Sequence, residues 1–284
     1  MFNPFNGANG VATAFVLSNG NPATFMFATE QGTIAGWNPT LPGPAAGATL
    51  GTQTVTAVST PGADYTGLAI DKAGDTPMLY AANFSQGEVD VFDGSFNKIN
   101  TITDHHGSSH LAPFNAQVLT VRGVERLFVT FASTDALTPG GMSGGEHGGG
   151  FVDEFDLQGN LIQRIDSHGT LDNPWGLAIA PSSFGSFAGD LLVGNHGDGT
   201  ISVFDLNGHD DRPLGHLLDA AGKEITIPGL FGLIPGETTA AGVTNNGGSA
   251  DTIYFIAGGA QGLFGSLTAN PTPLQVGMMG PGGH

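Results

Sequence analysis

The chain has 284 residues, with 47 Gly, 17 Pro, no Cys, and 25 acidic against 7 basic side chains for a net charge of −18. Such a charge repels phosphate backbones and anionic lipid, which argues against nucleic acid or a membrane surface as partner. The missing cysteines exclude disulfides, thiolate nucleophiles and Cys-ligated metal centres. With 39% hydrophobic residues, 19 of them Phe, the chain can still bury a core. No apolar run reaches the ~18 residues of a spanning helix, so membrane insertion is not expected.

From the N-terminus, MFNPFNGANGVATAF lacks the basic and apolar regions of a secretory leader. The first strand-like word, FMFATE (25–30), is followed by GTIAGWN from Gly32. The same order returns along the chain. MLYAANF (78–84) precedes GEVDVFD from Gly87, RLFVTFA (126–132) precedes GFVDEFD from Gly150, and LLVGNH (191–196) precedes GTISVFD from Gly199. TIYFIAG (252–258) precedes GLFGSLT from Gly262. These Gly-led words recur about every 50–60 residues, somewhat beyond the ~40–50 of a usual four-stranded propeller blade. Upstream of most pairs lies a third strand: YTGLAI (65–70), PFNAQV (113–118), PWGLAI (174–179) and LFGL (230–233). FNKINTI (96–102) and LIQRID (161–166) add a fourth.

Short strands between turn residues, with no helical periodicity, predict an all-β repeat. A β-propeller of five or six blades fits better than a sandwich or β-helix, because the same multi-strand word repeats five times. We expect one domain over 1–284, with the last ~15 residues a loose tail. Gly67, Gly176 and Gly232 match one another on the innermost strand, where blades converge and room for a Cβ is least. Phe114, Trp175 and Phe231 also match, and are expected to pack between blades rather than form a ligand cage.

Taken together, the words FATEQGTIAGWNP, LYAANF with VDVFD, APFNAQ, GFVDEFD, and NPWGLAIAP with GDLLVGNHGDGTISVFD resemble a family of bacterial NHL-like propellers, over roughly residues 25–268. Many of its members are exported, and some carry a C-terminal sorting signal. The resemblance implies the propeller fold and an extracellular or periplasmic location, and no particular reaction. It also implies a further blade before the FATE strand, which is expected to be absent or degenerate in this chain, and Phe rather than His at the position of His196.

Six of the nine histidines, His105, His106, His110, His147, His168 and His196, fall between 105 and 196. If blade strands run outward from the axis and alternate in direction, all six map to one face of two neighbouring blades, with His209 on the other. Clustered imidazoles suit a divalent transition metal such as Cu, Zn or Fe. The expected site draws on His106, His110, His147, His168 and His196, with Glu30 or Glu146 as nearby carboxylates. Polar surface histidines are the competing reading. Ca²⁺ is a weaker candidate, since GNHGDGT (194–200) and NGHDD (207–211) fit no complete calcium loop. The Gly-rich segment TPGGMSGGEHGGG (138–150) would hold His147 loosely.

A metal with an open position would make the chain a lyase or oxidoreductase acting on a small molecule or an extracellular polymer end. The alternative is a non-catalytic extracellular scaffold that presents its loops to a partner.

Overall fold

The computed structural model describes residues 1–7, 13–41, 51–103, 110–135, 149–165, 169–206, 213–236, 248–258, 262–269 and 276–277. They form five antiparallel sheets. The first holds β1 (Phe25–Thr29), β2 (Thr33–Trp37) and β3 (Val55–Ser59). The second holds β4 (Tyr65–Ala73), β5 (Thr76–Asn83), β6 (Glu88–Asp93) and β7 (Lys98–Thr103). The third holds β8 (Leu111–Val121), β9 (Val124–Ser133), β10 (Gly150–Phe155) and β11 (Leu161–Ile165). The fourth runs β12 (Pro174–Ile179), β13 (Leu191–Asn195), β14 (Ile201–Phe204) and β15 (Pro213–Leu217), and the fifth β16 (Leu230–Pro235), β17 (Thr252–Ala257) and β18 (Leu263–Thr268). A last strand, β19 (Val276–Gly277), pairs antiparallel with β15, so part of the expected loose tail is a fifth strand of the fourth sheet.

The fold is an all-β propeller whose five sheets are its blades. Each strand word read from the sequence coincides with a strand. The apolar words become β1, β5, β9, β13 and β17, of which β5, β9 and β13 are buried almost from end to end. The Gly-led words become β2, β6, β10, β14 and β18. Their leading glycines have a turn to make: Gly32, Gly87, Gly199 and Gly262 all sit at positive φ.

The Asp that closes several words is turn chemistry. Asp93 Oδ1 accepts from the backbone N–H groups of Ser95 and Asn97, and Asp156 Oδ1 from those of Gln158 and Asn160. Burial pushes each carboxyl up, but these bonds and those from the Asn97 and Asn160 side chains outweigh it and hold both below the ordinary Asp value.

By backbone contact the chain divides into two compact units, Met1–Val118 with Phe155–Leu161, and Leu119–Glu154 with Ile162–His284. The core of the first is built on Phe15, Met26, Ile34, Tyr65, Leu79 and Phe92. In the second, one cluster centres on Phe128, Val152, Leu177, Val193 and Phe204, and another on Phe184, Leu192, Val203, Leu230 and Phe255. Sequence reading left the first sheet without an inner strand. In the structure Met1–Asn3 takes that place: Met26 N donates to Met1 O at 2.8 Å and Asn3 N to Thr24 O at 3.0 Å, with Phe2 bridged to Phe25.

Candidate functional site

Two strand ends carry the chemistry-bearing residues, one in each unit. In the first unit β5 ends on Asn83, fully buried, whose Oδ1 accepts from Asp64 N at 3.3 Å. Its Nδ2 donates to Gln86 Oε1 at 3.0 Å and to Asp90 Oδ2 at 3.2 Å. Asp64, half-buried, stands just before β4. Glu30, in the β1–β2 turn, is exposed. Burial first, and then the charge of Glu30, raises the Asp64 carboxyl above its usual value. One Asp64 oxygen, Oδ1, is buried without a hydrogen-bond partner.

In the second unit the same local design recurs at the end of β13. Asn195 Oδ1 accepts from Asp172 N at 3.0 Å, while its Nδ2 reaches Thr200 Oγ1 at 2.9 Å and Ser202 Oγ at 3.0 Å. Asp172 is raised by burial and by Asp198, which is itself engaged with the N–H and hydroxyl of Thr200. Next in sequence, His196 is 3% exposed. Its Nδ1 lies 2.9 Å from Leu230 O and its ring centroid 4.1 Å from that of Phe231.

Because a carbonyl oxygen can only accept, Nδ1 carries the proton and the lone pair lies on Nε2. Burial lowers the His196 pKa, against the opposing pull of the Leu230 hydrogen bond, so the ring is neutral at pH 7. A neutral imidazole anchored through Nδ1–H is the form in which histidines bind metals. The site is also an aromatic packing position. At the matching position in the second sheet, Phe84 lies 5.5 Å from Phe114. Both positions reproduce the expected packing by Phe114 and Phe231.

Of the expected metal ligands, His196 is buried as described, while His110 and Glu30 are exposed. His105, His106, Glu146, His147, His168 and His209 lie outside the described residues. Among the described residues no three His, Asp or Glu side chains come together in a way that could hold a metal ion. No helix among them is long and apolar enough to cross a membrane. Sequence reasoning missed Asp64 and Asp172. Their signal is an Asp within two residues of the inner strand, set against an Asn that ends the next strand, and it occurs at Asp64 with Asn83 and at Asp172 with Asn195.

The raised carboxyls carry a pH signature. A folded-state pKa above the unfolded value means that the native protein binds the proton more tightly, so these groups oppose folding at neutral pH and that opposition fades on acidification. Urea midpoints of wild type and an Asp64→Asn, Asp172→Asn double variant, followed from pH 7 towards 4, are expected to converge. The variant should be the more stable at pH 7 and lose its advantage as the two carboxyls of the wild type become protonated. A constant difference across that range would contradict the assignment.

No known family profile matches the chain. It is similar to three uncharacterised proteins of Acanthamoeba polyphaga mimivirus, 34% identical over 263 residues, 32% over 229 and 30% over 217. These matches cover 89%, 79% and 74% of this chain but only 64%, 54% and 38% of the relatives, which are longer proteins. These relatives are viral, where the motif resemblance pointed to bacteria. Among solved structures, one provisionally described as a gluconolactonase aligns with a TM-score of 0.53 at 18% identity, over 86% of this chain and 69% of its own. A protein of unknown function from Bacteroides caccae aligns with a TM-score of 0.51 at 11% identity, over 88% and 69%. At these identities the likeness establishes the propeller fold.

Proposed function

We propose that this propeller binds a divalent cation at the carboxylates of Glu30 and Asp64 and uses it to hold and polarise an oxygen-rich small molecule. The observation that carries the reading is Asp64, a carboxyl made harder to ionise by burial and by Glu30, with one buried oxygen lacking a partner. A cation would relieve both conditions at once. Oxygen donors favour Ca²⁺ or Mg²⁺ over the transition metals that clustered imidazoles would select. The likeness to the structure described as a gluconolactonase makes hydrolysis of a cyclic ester the first reaction to assay.

A second reading, a transition-metal centre drawn from His106, His110, His147, His168 and His196 in a lyase or oxidoreductase, is favoured by the His196 ring being held through Nδ1 on Leu230 O. An extracellular or periplasmic location belongs with either reading and rests on the motif resemblance.

Thermal unfolding of tag-free protein in Ca²⁺, Mg²⁺ and Zn²⁺ separates the two. Under the first reading Ca²⁺ or Mg²⁺ stabilises the wild type, by about 2.7 kcal/mol at a hundredfold excess over Kd, and Asp64→Asn or Glu30→Gln removes the effect. Equal cation stabilisation in wild type and Asp64→Asn would overturn it. Stabilisation by Zn²⁺ that vanishes in His196→Ala but persists in Asp64→Asn would support the second reading.

A further inference from the structure

The second sheet holds a primary amine against a buried carboxyl. Lys98 on β7 stands opposite Phe92, and its side chain reaches back along β6 to Glu88 and Asp90, which share that face by strand alternation. Its Nζ lies 3.0 Å from Glu88 Oε1 and 2.5 Å from Oδ1 of the fully buried Asp90. A single C–O bond separates Oδ1 from Cγ, so Nζ is within about 3.7 Å of that carbon.

The other Asp90 oxygen has different company. Oδ2 accepts from the Tyr65 hydroxyl at 2.6 Å and from Asn83 Nδ2 at 3.2 Å, two neutral donors buried with it. Both are aimed at the oxygen on which negative charge would gather if a nucleophile added to Cγ. Among the described residues Oδ1 has no hydrogen-bond partner beyond the Lys98 amine.

The third sheet shows the same position built as a plain ion pair. Asp153 holds in GFVDEFD the place of Asp90 in GEVDVFD, and Arg164 takes both of its oxygens. A guanidinium stays protonated and is no nucleophile. In the second sheet the cation is an amine set on one oxygen only, with the Glu88 carboxylate beside it to accept a proton.

We propose that Lys98 and Asp90 condense into an intramolecular amide, with Glu88 carrying a proton and Tyr65 and Asn83 forming the oxyanion site. The Lys98 ammonium passes one proton to Oδ1, and the freed Nζ lone pair forms a bond to Cγ while charge moves onto Oδ2. Glu88 takes a second proton from the now cationic nitrogen and returns it to Oδ1; the Cγ–Oδ1 bond breaks and Oδ1 leaves as water. One ammonium and one carboxylate become one secondary amide and one water, with no other reactant. The Lys98 side chain is 38% exposed, which gives the water a way out. Burial would lower the Lys98 pKa, but the hydrogen bonds and charges of Asp90 and Glu88 outweigh it and raise it, so the pair rests in its ionic form and the reaction is slow. Holding the two groups together supplies an effective concentration on the order of 10⁵–10⁸ M in favour of the bond.

Intact-mass spectrometry of the full chain, freshly purified and after prolonged incubation below its Tm, tests this. The wild type is expected to lose one water, about 18 Da. Trypsin, which cuts after free lysine, should then release 73–122 as one looped peptide in place of 73–98 and 99–122. Lys98→Arg, which keeps a cation on Asp90 but offers no amine, should retain its full mass, and so should wild type held in urea. Glu88→Gln should lose water roughly 100-fold more slowly. A folded wild type that keeps its full mass and is cleaved completely after Lys98 would overturn the proposal. So would equal water loss in Lys98→Arg or in urea, or a loss that maps to a succinimide at Asp93–Gly94 and leaves Lys98 cleavable. An unchanged rate in Glu88→Gln would overturn the part given to Glu88.

Discussion

Arg164→Leu is expected to destabilise the protein by about 3 kcal/mol, lowering Tm by roughly 6–12 °C in thermal unfolding followed by circular dichroism. Arg164, on the outer strand β11, grips the fully buried Asp153 of β10 through Nε to Oδ1 at 2.8 Å and Nη2 to Oδ2 at 3.1 Å. Its guanidinium also lies 3.8 Å from the centroid of Phe151, which stacks on Phe131. The substitution keeps an apolar side chain on the ring but strips a buried carboxylate of its counter-charge, and that loss dominates because desolvation of Asp153 is no longer offset. Adding Asp153→Leu should recover most of the stability, since replacing both members of a buried pair by apolar groups is often neutral. If the double variant is as unstable as the single one, packing on Phe151 rather than the unpaired charge is the cause.

Gly176→Ala should cost a similar amount, about 3 kcal/mol. The new Cβ would fall on the carbonyl oxygen of Phe231 and within 3.1 Å of Leu233 N, both on the inner strand of the next sheet. Backbone cannot turn aside as a side chain can, so the two strands must separate. Gly67→Ala meets the same obstacle at Asn115, whose Cα would lie 2.7 Å away. At Gly232 the nearest atom is Trp175 Cζ3 at 3.7 Å, an ordinary contact, so Gly232→Ala is expected to change stability by no more than about 0.5 kcal/mol. Chemical denaturation of the three variants checks the contrast. A large loss at Gly232 would show that the inner strand needs glycine for some reason other than room.

These three glycines show how far the sequence could be read. Their alignment is visible in the repeat, and so is the inner-strand position it implies. What differs among them is the neighbouring strand, which lies more than forty residues away and leaves no local trace. The strands themselves were legible because each apolar word is long and each turn is marked by a Gly or Asp with a specific conformation or hydrogen bond to supply. The Met1–Asn3 strand was not, since three residues show no periodicity and owe their place to Phe2 and the edge of β1.

For the candidate site, type and clustering picked out histidine, whereas the raised carboxyls came from burial, which no count of residues reports. Asp64 is an ordinary pre-strand Asp in the sequence. It becomes unusual only where the β1–β2 turn brings Glu30 near it. His196 illustrates the reverse, since its alignment with Phe84 already contained the packing role that the structure displays.

That alignment has an evolutionary consequence. Two sheets of one repeat hold a flat ring at the same place, benzyl in one and imidazole in the other, each packed on an aromatic ring of the next sheet, and the imidazole adds a hydrogen bond to Leu230 O. A histidine at such a position takes over the packing role of the ring and brings a ring nitrogen with it. Repetition lets such a scaffold collect functional groups one at a time, because each copy of the blade is a separate trial and the remaining copies keep the protein folded.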